Sequence, residues 1–174
     1  NCGHYADNAA RYLDFESIEA DVSKSGVRYD PLGVILLVMP WNFPFWQVCR
    51  FAIPAMMAGN AVILKHSENT FGCAERMEAL FHEAGIPNDL FRSIRIPVSE
   101  VEGLIQDPRI AAVSLTGSTR AGKAVASQAG AALKPCVVEL GGNDPYLILK
   151  DADLEKAAEA CVTSRLINTG QSCI

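Results

Sequence analysis

Short apolar runs rich in β-branched residues recur along the chain, each followed by a turn and a longer amphipathic stretch, and this rhythm constrains the fold most. Near-continuous apolar strands of this kind belong to parallel sheets buried on both faces, with helices as the crossovers. Strands are expected at Val34–Val38, Ala61–Leu64, Phe91–Ile96, Ala111–Leu115, Cys136–Leu140 and Tyr146–Leu149. Helices are expected between them at Phe45–Met57, Thr70–Ala84, Ser99–Gln106, Ser118–Ala132 and Asp153–Ile167. Pro44 suits a helical first turn, Pro54 is expected to kink or end its helix, and Asp151 or Asp153 can cap the last one. A helix over Tyr5–Ile18 precedes the alternation, and Ser23–Tyr29 reads as a connector or weak strand. No repeat and no Gly/Ser-rich linker interrupts the pattern, so a single α/β unit is the economical reading.

Composition removes several classes of function. The 174 residues carry 15 Lys and Arg against 20 Asp and Glu, a net charge of −5 without a basic block, so the footprint for a phosphate backbone is missing and no nucleic-acid partner is expected. No apolar stretch approaches the roughly 20 residues a spanning helix needs, and the first residues lack the charge and apolar pattern of a secretory signal. Six cysteines stand singly, without a Cys-x-x-Cys pair, which suits a reducing, cytoplasmic setting. No metal is assigned.

Four segments combine residue types that carry chemistry. Thr116-Gly117-Ser118 joins a strand to a helix N-terminus, where free backbone N–H groups and the helix dipole favour an anion. The spacing from Gly117 to Gly122-Lys123 also matches a P-loop, but Ala124 replaces the hydroxyl that would bind magnesium, so a P-loop nucleotide site is only an alternative. In Pro40-Trp41-Asn42-Phe43-Pro44, two prolines stiffen a loop at the carboxyl end of a strand, and Asn42 offers a fixed amide donor for a developing oxyanion. Glu139 lies among Val137, Val138 and Leu140, where desolvation would raise a carboxyl pKa and make a general base, before Gly141-Gly142. Cys173, after Gly170-Gln171-Ser172, is a candidate nucleophile. Each segment has a bland reading as well: a tight turn, core filler, a surface carboxylate or an inert buried thiol.

Taken in chain order, Pro40–Pro44, Lys65-His66-Ser67-Glu68, Thr116-Gly117-Ser118, Glu139–Gly142 and Gly170–Cys173 resemble the aldehyde dehydrogenase superfamily, in particular its semialdehyde-oxidising branch. The resemblance runs from about Tyr29 to the end of the chain. It implies a Rossmann-like, mostly parallel α/β cofactor domain with flanking helices. It also implies NAD(P)-dependent oxidation of a small-molecule aldehyde through a thiohemiacetal and a thioester. By position, Cys173 would attack the aldehyde, Asn42 and the Cys173 N–H would hold the oxyanion, and Glu139 would activate water. Lys65 and Glu68 would bind the adenosine ribose and Gly117 and Ser118 the pyrophosphate, with Met39, Trp41 and Leu140 lining the cofactor cleft. Glu68 favours a free ribose hydroxyl, and so NAD over NADP, while Lys65 pulls the other way. Arg50, beside Phe43 on the substrate side, resembles the arginine that grips a substrate carboxylate in the semialdehyde branch, which points to succinate semialdehyde.

The sequence also departs from the family pattern. His66 stands where proline is usual, Asn143-Asp144 follow the double glycine, and Ile94–Ser99 lacks the glycines common after the third strand. Members of the family are much longer, and homo-oligomeric assembly is expected of the whole protein. The expected division is an N-terminal helix and connector over 1–29, a dinucleotide domain over 30–150, and a last helix opening onto a catalytic domain over 151–174. By itself the chain is expected to be nearly inactive, or to act as a non-catalytic dinucleotide-binding module, and to expose apolar surface.

Overall fold

A computed structural model describes residues 1–174. Five parallel strands form the body: β3 (Val34–Met39), β4 (Ala61–His66), β5 (Phe91–Ile94), β6 (Ile110–Gly117) and β7 (Cys136–Leu140), in the order β5-β4-β3-β6-β7. The helices are α1 (Cys2–Tyr12), α2 (Trp46–Met57), α3 (Phe71–Glu83), α4 (Val101–Gln106), α5 (Thr119–Ala131) and α6 (Leu154–Arg165). A two-stranded antiparallel ribbon, β1 (Glu16–Ser17) with β2 (Gly26–Val27), lies outside this sheet.

The strands are apolar at consecutive positions because each face buries a core. On one face Ile35, Leu37 and Met39 pack with Val48 and Ala52 of α2 and Met77 of α3. On the other, Leu36, Val113 and Leu115 pack with Ile105 of α4 and Val125 and Ala129 of α5. From β3 the chain winds outward through β4 to β5, then returns to β6 on the opposite side of β3. Strand order therefore reverses between β3 and β6, and such a switch point opens a crevice at the carboxyl ends of the strands, where α/β sheets bind ligands.

Most expected elements form, with informative exceptions. Tyr146–Leu149 is irregular rather than a strand: it has no ladder partner, and Leu147 is 88% exposed. An apolar run acquires strand geometry only beside a neighbouring edge, and β7 pairs only with β6. The first helix stops at Tyr12 instead of Ile18, and Glu16–Ser17 leaves it to pair with Gly26–Val27. Pro54 lies inside α2 without ending it, since the helix continues to Met57 and the Pro54 carbonyl still accepts from the Ala58 N–H. Asp153 is the cap of α6, accepting from the Lys156 N–H at 3.2 Å. That helix buries none of its residues.

Candidate active site

Two loops meet at the switch point. One leaves β3 as Pro40–Phe45 and enters α2; the other leaves β6 through Gly117 and enters α5, whose N-cap Ser118 accepts from the Ala121 N–H at 3.2 Å. Because Thr119 is already helical, Gly122 and Lys123 belong to α5 and wrap nothing, which removes the P-loop alternative. Gly122 is needed for packing instead: a Cβ there would collide with the Leu140 side chain.

The C-terminal segment closes over these loops. Asn168 and Thr169, at φ 53° and 56°, precede Gly170 at φ 76°, so three successive left-handed residues reverse the chain. Left-handed geometry at a β-branched threonine costs of order 1–3 kcal/mol and persists only where neighbours enforce it. Here Asn168 Nδ2 donates to the Asn42 carbonyl at 2.7 Å, and Asn42 Nδ2 donates to the Gln171 carbonyl at 2.8 Å. Arg165 reaches back to the Ile174 carbonyl.

The result is a cleft of about 290 Å3 whose walls include Trp41, Asn42, Gly117, Ser118, Leu140 and Cys173. Those six residues, scattered over more than 130 positions, are the ones the structure brings together. The Cys173 carbonyl lies 3.5 Å from where a Cβ would sit on Gly142, an ordinary contact distance that sets the two segments side by side. A second, open hollow of about 440 Å3 is lined by Lys65, Ser67 and Glu68 and shares Trp41 with the first. The two hollows thus flank one exposed indole. Lys65 is only 4% exposed, and none of the ion pairs uses it.

Glu139 and Arg50 line neither hollow but sit together beside the first. Arg50 donates to Thr116 Oγ1 at 3.3 Å, on the cleft wall, and its guanidinium is 3.6 Å from the Glu139 carboxylate. The Glu139 side chain is 55% exposed, so it does not have the apolar enclosure its sequence neighbours suggested. The strand carrying it is an edge strand, and Val137 and Val138 are themselves partly exposed. Met39 and Phe43 do not reach the cleft. The Met39 side chain is in the core against α2 and α3, and Phe43 spends its carbonyl on the Gln47 N–H.

Two wall residues escape sequence reasoning. Thr116 reads as strand end and proves to be the link between Arg50 and the cleft. Gln47 is 2% exposed on the cleft wall, and its Oε1 has no hydrogen-bond partner. A lone amide in the otherwise apolar start of α2 was the signal. The Asn42 Oδ1 is likewise buried without a donor. A buried acceptor left unpaired costs about 1–3 kcal/mol, so two of them beside one cleft suit a ligand that brings N–H or O–H donors.

Comparison with known proteins agrees in extent and geometry. The model of the aldehyde dehydrogenase family matches residues 1–174. The chain is 48% identical over 172 residues to succinate semialdehyde dehydrogenase [NAD(P)+] Sad of Escherichia coli, covering 99% of this chain and 37% of that protein. It is 50% identical over 173 residues to a probable succinate-semialdehyde dehydrogenase [NADP(+)] of Synechocystis, covering 99% and 38%. The solved structure of succinic semialdehyde dehydrogenase from Streptococcus pyogenes with NADP+ superposes with a TM-score of 0.93 at 38% identity, covering 98% of this chain and 37% of that one. The chain therefore spans little more than a third of the length of these relatives.

Proposed function

The chain belongs to the aldehyde dehydrogenase family, and from that premise we propose that the whole protein oxidises an ω-carboxy aldehyde of the succinate-semialdehyde class to its acid, with NAD(P)+ as the oxidant. The observation that carries this reading is the convergence of Cys173, Asn42 and the Gly117-Ser118 helix start on one cleft at the switch point.

Cys173 adds as thiolate to the aldehyde carbon, forming a C–S bond while the carbonyl electron pair moves to oxygen. Asn42 serves that oxygen: one of its two Nδ2 hydrogens is engaged by Gln171, which fixes the amide, and the other is free for the oxyanion, alongside the Cys173 N–H. The oxyanion's electron pair then re-forms the C=O bond as the C–H bond of that carbon breaks, and a bound NAD(P)+ would supply the acceptor for the departing hydride. What remains on Cys173 is a thioester. Glu139 takes a proton from water, the hydroxide adds, and the C–S bond breaks to return the thiolate and release the acid. Half exposure leaves Glu139 able to swing from Arg50 toward the cleft.

The residues present fit a dinucleotide. Ser118 and the α5 N-terminus offer N–H groups for a pyrophosphate. Trp41 stands between the two hollows, and the unpaired Gln47 and Asn42 oxygens await donors. Lys65 and Glu68 take the adenosine ribose at the outer hollow, and the buried, unpaired Lys65 tips the balance toward a 2′-phosphate. The relatives' names, NAD(P)+ and NADP(+), support that direction over the NAD preference suggested by the Glu68 charge alone. Arg50 then holds the substrate carboxylate, exchanging Glu139 for it. The division into a dinucleotide domain over 30–150 with flanking segments belongs to the same reading, as does homo-oligomeric assembly.

Glu139→Gln in the whole protein tests the sequence of steps. The expected result is a burst of one NAD(P)H per active site followed by arrest, with the acyl group retained on Cys173 by mass spectrometry. Undiminished steady turnover would remove Glu139 from the mechanism.

A further inference from the structure

His66 ends β4 between two loops of the candidate site, and its surroundings show what its ring does. It is the last residue of β4, registered against Met39 of β3, and it is 0% exposed. Its Nε2 is 2.9 Å from the Pro44 carbonyl, in the loop that carries Asn42. Its Nδ1 is 2.8 Å from Thr70 Oγ1 and 2.9 Å from the Ser67 backbone N, in the turn that carries Glu68. The Ser67 N–H also faces the Met39 carbonyl at 2.9 Å, and the Thr70 hydroxyl is 3.0 Å from the Ser67 carbonyl. A carbonyl can only accept, so Nε2 carries the ring hydrogen and Nδ1 presents the lone pair toward Ser67 and Thr70. Proline could make neither contact.

We propose that His66, held as the Nε2–H tautomer, is a positioning residue that ties the Asn42 loop to the Ser67–Thr70 turn, so that one buried ring sets the oxyanion group and the ribose group relative to each other. The proposal rests on the roles assigned above to Asn42 and Glu68. The ring touches neither substrate nor dinucleotide. Its effect passes through two backbones: Pro44 toward Asn42, two residues away, and Ser67 toward Glu68, the next residue.

Two conservative variants separate the halves of the ring. His66→Asn retains an acceptor near the place of Nδ1 and loses the donor to Pro44. His66→Gln retains an amide donor reaching toward Pro44 and loses the acceptor for Thr70 and Ser67. In the whole protein, His66→Asn is expected to keep the Kd for NADP+ near the unsubstituted value while kcat falls by about tenfold, the equivalent of one lost hydrogen bond. His66→Gln is expected to do the reverse, with Kd raised about tenfold and kcat nearly kept. Parallel loss of both in both variants, or no change in either, overturns the proposal and leaves the proposed function standing. Long-range 15N–1H correlation spectra of the unsubstituted protein give a readout independent of turnover. A neutral ring bearing hydrogen on Nε2 is expected; a hydrogen on Nδ1 at neutral pH overturns the proposal whatever the catalytic result. An unsubstituted protein that oxidises no aldehyde overturns the function instead, and the spectra and the Kd of His66→Gln still decide the role of His66.

Discussion

Replacing Arg50 with leucine tests the substrate assignment quantitatively. The Arg50 side chain is 34% exposed, donates to Thr116 Oγ1 at 3.3 Å and pairs with Glu139 at 3.6 Å. A substrate carboxylate arriving at that fork makes charge-assisted hydrogen bonds, each contributing about 1.5–3 kcal/mol. Partial exposure places the expected value in the lower half of that range, because water screens the pair. At roughly 1.4 kcal/mol per decade, the loss is about ten- to fortyfold in kcat/KM. Arg50→Leu also strips Glu139 of its partner, which alters turnover of every aldehyde. The informative quantity is therefore a ratio: kcat/KM for succinate semialdehyde divided by kcat/KM for an uncharged aldehyde of the same length, before and after substitution. The Glu139 effect cancels in that ratio, and the carboxylate effect does not. A ratio that moves less than about twofold, under about 0.4 kcal/mol, would refute Arg50 as the carboxylate's partner.

Two further substitutions probe the scaffold. Gly122→Ala introduces a methyl group that collides with Leu140, and overpacking of about 1–3 kcal/mol outweighs the roughly 1 kcal/mol gained in helix propensity. A lower Tm and weaker dinucleotide binding are expected, since Leu140 lines the cleft, and a higher Tm would show that the packing yields. Burial holds the His66 pKa below its ordinary value of 6.5, so the unfolded chain takes up that proton first as pH falls. The stabilising contribution of neutral His66 is complete above that value and declines as pH drops through it. His66→Asn should flatten the slope of Tm against pH in that window, and an unchanged slope would assign the dependence to other groups.

The fold was largely legible because consecutive apolar strand residues have one economical explanation, a sheet covered on both faces, and Leu36 beside Leu37 shows it directly. Helix ends were legible where side chains enforce them, as at Ser118 and Asp153. Tyr146–Leu149 misled because β-propensity states what a segment tolerates, and pairing depends on a partner edge supplied from elsewhere. At the candidate site, Asn42, Gly117 and Cys173 were legible because their types carry chemistry at turn positions. Gln47 and Thr116 were not, since an amide in an apolar helix and a hydroxyl at a strand end acquire meaning only when a cleft opens beside them. The partner of Arg50 was equally hidden: Glu139 is 89 positions distant in sequence, and only the β6–β7 register brings it alongside Thr116. His66 was visible as an oddity, and its two-sided contact explains it only in three dimensions.

If oxidation runs through a covalent bond to Cys173, Cys173→Ala in the whole protein abolishes it. With dinucleotide binding verified as intact, aldehyde-dependent NAD(P)H formation should vanish, burst phase included, and no acyl adduct should appear on the protein. Retained turnover by Cys173→Ala would show that the thiolate is not the nucleophile.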